Sequence, residues 1–175
     1  MLFEKSIEHT IMRLLYILVF VLPVCVQGEQ WNMITIRDLY YTASSSKEDS
    51  EKFKSAVKSI PTPNECIKGY VAVSYMIEAK HVFNPATKLS YFNKGKILLD
   101  NSIKIEPQNT ELRFLRLGIQ TNVPSFLEYN KQIETDKNFI LLKYLSQTDL
   151  DLKKRIKEFM IQSDICSQQE KKIFN

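Results

Sequence analysis

The chain predicts an all-α protein built as a stack of antiparallel helical hairpins, with seven or eight helices. Three observations carry that expectation. Helix-start patterns recur along the chain, and the apolar residues between them return at helical spacing. Sustained period-two alternation and the Asn-Gly or Asp-Gly turns of β-hairpins are both missing.

Each element has its own warrant. Residues 33–43 form the first helical stretch after the apolar N-terminus. Ser46 stands three residues before Asp49 and opens 47–59, because a hydroxyl and a carboxylate at that spacing can each satisfy an orphan backbone group of the first turn. Thr62 and Glu65 repeat the arrangement ahead of 63–80, where Ile67, Val71 and Tyr75 make one apolar strip. Asn84 followed by Pro85 supplies a cap and a proline at the first helical position, opening 85–105. A helix over 110–121 follows. Ser125 with Glu128 then predicts 126–146, and Thr148 with Asp151 predicts 149–162, which carries Ile156, Phe159 and Met160 on one strip. Ser167 with Glu170 starts a short terminal helix at Gln168. Connections of a few residues make successive helices antiparallel neighbours.

Gly69, Gly95 and Gly118 all fall inside these helices, where each costs about 1 kcal/mol relative to alanine. Close helix crossings are the expected compensation, and Gly118 is expected to mark one of them.

Residues 14–26 read LLYILVFVLPVCV, preceded by Met12 and Arg13 and followed by Gln27 and Gly28. Such a run is shorter than the roughly 20 apolar residues of a membrane span and fits a secretory signal peptide over 1–28, with cleavage after Gly28. Glu4 and Glu8 stand against a single Lys5 upstream, so Met12 is the better start for a signal. Cys25 would be an acylation site in a lipoprotein, but Val24 before it is not the small residue such sites use. The expectation is a secreted or periplasmic protein without a membrane span, its single helical domain occupying 29–175.

From residue 29 onward the chain has 22 basic and 18 acidic residues, too small an excess to imply nucleic-acid binding. The excess is concentrated in residues 80–116, with seven basic and three acidic residues. Cys66 and Cys166 are the two cysteines outside the leader, and they either bridge or pack as separate thiols; no CxxC pairing points to metal or redox chemistry.

Residues 92–109, FNKGKILLDNSIKIEPQN, carry Gly95, Leu99 and Ser102 as a small, large, small series and Pro107 at the close. This segment resembles the second helix and closing loop of a tetratricopeptide repeat, and Phe114, Leu117 and Gly118 match the following first helix, a likeness over roughly 30 residues. The spacing from Gly69 to Gly95 is longer than that repeat, so AKHVFNPATKLSY reads as an insertion. The chain is also similar, through IRDLYY, FNPATKLSYFNKGK and ELRFLRLGIQTNVPSFLEYN, to a set of secreted bacterial helical proteins without assigned activity. The likeness implies the helical-hairpin fold and export, and no activity.

HExxH, GxSxG, GxGxxG and P-loop patterns are absent, and His81 is the one histidine after the leader, so no catalytic, metal or cofactor residue is assigned. Lys153, Lys154, Arg155 and Lys157 read as the solvated face of a helix. The candidate binding residues are Lys80, His81, Asn84 and Lys88 of the insertion and Lys94 of the helix it enters, with Arg113 and Arg116 one turn apart. Arginines hold carboxylates bidentately, which points to an acidic peptide or protein partner, with Tyr75, Phe83, Tyr91 and Phe92 as an apolar wall. The competing arrangement pairs the two arginines with Asp100, Glu106 and Glu111. The favoured function is a non-catalytic protein- or peptide-interaction module of the cell envelope. The alternatives are an envelope enzyme centred on His81 with Glu78 or Asp100, and a purely structural envelope protein.

Overall fold

The computed structural model describes residues 32–174; the leader expected over 1–28, with the expected cleavage after Gly28, and Cys25 lie outside them. The described residues contain eight α-helices and two short 3-10 turns, and no strand. No helix among them is long and apolar enough to cross a membrane.

Side-chain caps set most helix starts. α1 is Met33–Thr42, capped by Asn32, and α2 is Lys47–Lys58, where Ser46 accepts from the Asp49 N–H. α3, Glu65–His81, begins two residues later than the Thr62 pattern predicts, because Asn64 accepts from the Ile67 N–H in place of Thr62. α4, Pro85–Ile105, has the expected Asn84 cap with proline next to it. α5 is Thr110–Gln120, capped by Asn109. α7, Leu150–Gln162, is capped by Asp149 and not by Thr148, since Asp149 accepts from the Leu152 N–H. α8, Gln168–Lys171, carries the reciprocal Ser167–Glu170 capping box.

The single long helix expected over 126–146 is two elements. A 3-10 turn covers Ser125–Leu127, and α6 is Ile133–Tyr144. Between them Glu128 takes a left-handed conformation, φ 49°, and Tyr129 is buried at 4 % exposure. Tyr129 stacks edge-on against Phe92 and donates to Asp100 Oδ1 at 3.0 Å. Burying that ring stabilises by an order of 1.5–3 kcal/mol, more than a helical turn of ordinary propensity is worth, so the tertiary contact breaks the helix.

α3 and α4 form the central hairpin. A Cβ on Gly95 would lie 2.5 Å from the Ala72 carbonyl oxygen and 2.6 Å from Met76 Cγ, while one on Gly69 would strike the side chain of Leu112 and come within 3.6 Å of Leu99. Residues early in one helix thus face residues late in the other, which makes the pair antiparallel, with the two backbones in close approach at Gly95. Gly118 differs from the expectation: a Cβ there meets only Tyr40 Oη, at 3.4 Å, so no tight helix crossing accounts for it.

Two apolar cores share α5. Leu112, Leu115 and Ile119 face a core that includes Ile36, Phe53, Tyr70, Val73 and Leu99. Phe114 and Leu117 face a second, with Ile140, Ile156, Met160 and Phe174. α5 is therefore buried on two sides. Cys66 packs against the first core and Cys166 within the second, and both are free thiols. Burial, reinforced at Cys66 by Glu111, raises both thiols above the ordinary cysteine range, so neither is an activated nucleophile.

Candidate functional site

An apolar groove of about 890 Å³ opens between the end of α3, the start of α4 and the end of α5, with Tyr40 and Tyr41 of α1 at one side and residues 122–127 at the other. Met76, Phe92, Phe114 and Phe159 contribute to its walls. Tyr41, Leu89 and Phe126 reach solvent at 47, 48 and 79 % exposure, so the apolar surface continues out to the rim. Lys80 and Lys88 are the charged residues of the lining, and no acidic residue joins them. Lys80 Nζ donates to the Ser44 carbonyl at 3.0 Å, which holds one ammonium at the α1–α3 edge. Gly118 lines this groove, where the missing side chain leaves room.

The structure disperses the residues singled out from the sequence. Lys80 and Lys88 line the groove, but Asn84 is spent on capping α4, its Oδ1 accepting from the Ala86 and Thr87 N–H groups. His81 ends α3 outside the groove lining, with Nε2 buried and without a hydrogen-bond partner among the described residues. Lys94 lies over the ring of Tyr75, 4.3 Å from its centroid. Phe92 faces the groove, whereas Phe83 is fully exposed in the α3–α4 connection and walls nothing.

Arg113 and Arg116 pair within the fold. Asp136, fully buried in α6, receives Arg116 bidentately, Nε at 2.7 Å and Nη2 at 2.9 Å, and Arg113 Nη1 at 3.0 Å. Arg116 also donates to Asp100 at 3.1 Å, and Arg113 to the Pro107 carbonyl at 2.8 Å. Burial opposes the charge on Arg116, but Asp136 and Asp100 outweigh it and hold the guanidinium above its ordinary pKa. Asp100 is the one carboxylate foreseen; Asp136 takes the place of Glu106 and Glu111 because the broken helix swings α6 against α5.

A second network was not legible in the sequence. Arg37 is 2 % exposed and donates to Glu111 through Nε and Nη2 at 2.7 and 2.8 Å, to Asp149 at 2.7 Å and to Asp151 at 2.9 Å. Tyr70 donates to Glu111 Oε1 at 2.6 Å, and Arg155 binds Asp151 and Asp38. Arg155 is thus drawn out of the solvated face assigned to it. Burial opposes ionisation of Asp149, yet Arg37 and the Leu152 N–H hold its carboxyl below the usual range; Arg155 and then Arg37 do the same for Asp151 against burial. These carboxylates look like solvated helix-start residues in sequence, and only the fold gathers them on one arginine.

No family model, curated protein or solved structure matches the chain.

Proposed function

We propose that the protein is a non-catalytic interaction module of the cell envelope, exported by its N-terminal segment, whose groove docks an apolar peptide segment carrying acidic residues. The observation behind this reading is the charge pattern of the groove: an apolar, solvent-open channel with two lysines and no carboxylate in its lining. Its volume suits a few large side chains, and the exposed Tyr41, Leu89 and Phe126 offer the aromatic and aliphatic contacts that carry most peptide-binding energy. The stacked-hairpin reading is compatible with it, since tetratricopeptide-like stacks present such concave faces. The enzyme reading finds less support, because His81 stands outside the groove lining, and Glu78 and Asp100 are engaged by Lys54 and by Arg116 with Tyr129.

Fluorescence anisotropy with a labelled amphipathic helix, leucines on one face and glutamates on the other, tests this. Phe126→Ala should weaken binding about tenfold or more, as truncating an interface anchor does, and Lys88→Glu should weaken it and flatten its salt dependence. Unchanged binding in both variants defeats the reading. Binding of a fatty acid with no binding of the peptide would make the groove a carrier of small amphiphiles instead, and binding of neither would favour a structural role.

A further inference from the structure

Outside the groove lining, three ammonium groups lie around one tyrosine. Lys94 Nζ lies 4.3 Å, Lys54 Nζ 5.0 Å and Lys58 Nζ 5.5 Å from the centroid of the Tyr75 ring, and Lys54 is also 5.4 Å from the ring of Tyr91. Lys54 and Lys58 sit four residues apart on α2, and Lys94 comes from α4, so two helices bring charge to a tyrosine of the third, α3. Glu78 is ion-paired with Lys54. Lys58 and Lys94, both exposed, have no carboxylate within ion-pair distance among the described residues. Like charges grouped around one ring repel one another, and a bound anion would relieve that repulsion.

We propose that Lys54, Lys58 and Lys94, grouped around Tyr75, form a binding site for a phosphate dianion, free or as a small phosphomonoester. The charge count carries the assignment: two ammonium groups remain after Glu78 takes its share, matching the two negative charges of a phosphoryl group. Three flexible point charges suit a tetrahedral oxyanion, whereas a planar carboxylate is better served by the fork of an arginine. None of the four residues lines the groove, so this site stands apart from the proposed peptide face. The tyrosine supplies a built-in reporter. Burial opposes ionisation of the Tyr75 phenol, but Lys94 and Lys58 outweigh it and leave the group titrating below an ordinary phenol. A bound dianion would occupy those lysines and lift the titration again.

The test is an NMR pH titration of tyrosine-labelled full-length protein in chloride, inorganic phosphate or O-phosphoserine at one ionic strength, with phosphatidic acid vesicles as a separate arm. Phosphate and phosphoserine should each raise the Tyr75 titration, and Lys58→Ala and Lys94→Ala should each weaken phosphate affinity roughly two- to fivefold. Vesicle binding lost in the same variants would add a lipid headgroup as a source of the same phosphoryl group. The site is overturned if Tyr75 titrates alike in chloride and phosphate, if both variants keep full affinity, or if vesicles alone move Tyr75.

Discussion

Asp136 shows how much one side chain can decide. It accepts three hydrogen bonds from two arginines while fully buried, so removing it leaves buried Arg116 charged with Asp100 as its one remaining carboxylate partner. Asp136→Ala should therefore cost about 3–5 kcal/mol, read as a fall in the urea midpoint. Lys47 and Glu51, 3.6 Å apart and both well exposed, give the contrast: Lys47→Ala should change stability by no more than about 0.5 kcal/mol. An Asp136→Ala loss as small as that of Lys47→Ala would show that the arginines find other partners. The same geometry makes Arg113→Ala with Arg116→Ala a destabilising change, and so a poor probe of binding.

The helices pack according to where glycine has let them approach. At Gly95 the neighbour is backbone, the Ala72 carbonyl, which cannot swing aside as a side chain can. Gly95→Ala should destabilise by about 1–3 kcal/mol through forced separation of α3 and α4, exceeding the roughly 1 kcal/mol that alanine adds in helix propensity. At Gly118 the propensity gain meets little opposition, because the new methyl touches only the Tyr40 hydroxyl at ordinary distance. Gly118→Ala should leave stability level or raise it by up to about 1 kcal/mol. Thermal melts should fall for Gly95→Ala and not for Gly118→Ala; a parallel fall would place a crossing at Gly118 after all.

Across the whole molecule, Arg37 joins α1 to the start of α5 and the start of α7, tying residues more than a hundred positions apart in the chain. That tie makes stability depend on acid. Asp149 and Asp151 have folded-state pKa values depressed below the unfolded carboxylate value near 3.9, so their contribution is complete above that value. It is lost as pH falls through the depressed folded values, when the unfolded chain binds protons the native one resists. Urea midpoints measured from about pH 5 to pH 2 should fall steeply, and Asp149→Asn with Asp151→Asn should flatten that limb while lowering stability at neutral pH. An unchanged acid limb would assign the dependence to Glu65 and Glu170, whose pKa values are also lowered.

Local signals were readable wherever a short stretch of chain decides its own conformation. The Asn84–Pro85 start and the Ser167–Glu170 box satisfy backbone groups within one turn, so residue type and spacing suffice to place them. The helical period of the apolar residues likewise determined the all-α class, and the basic residues of 80–116 could be counted without coordinates. The break at Glu128 depended instead on Phe92 and Asp100 reaching Tyr129 from a distant helix. The groove, the lysines around Tyr75 and the carboxylates on Arg37 were decided the same way. Each is a meeting of residues far apart in the chain, and helix periodicity states which face is buried without stating what lies across from it. A lysine or arginine has the same local signature whether it faces water, a ring or a buried carboxylate. Only the packing of one helix on another chooses among them, and it sent Arg113 and Arg116 inward to Asp136 while leaving Lys80 and Lys88 on an open groove.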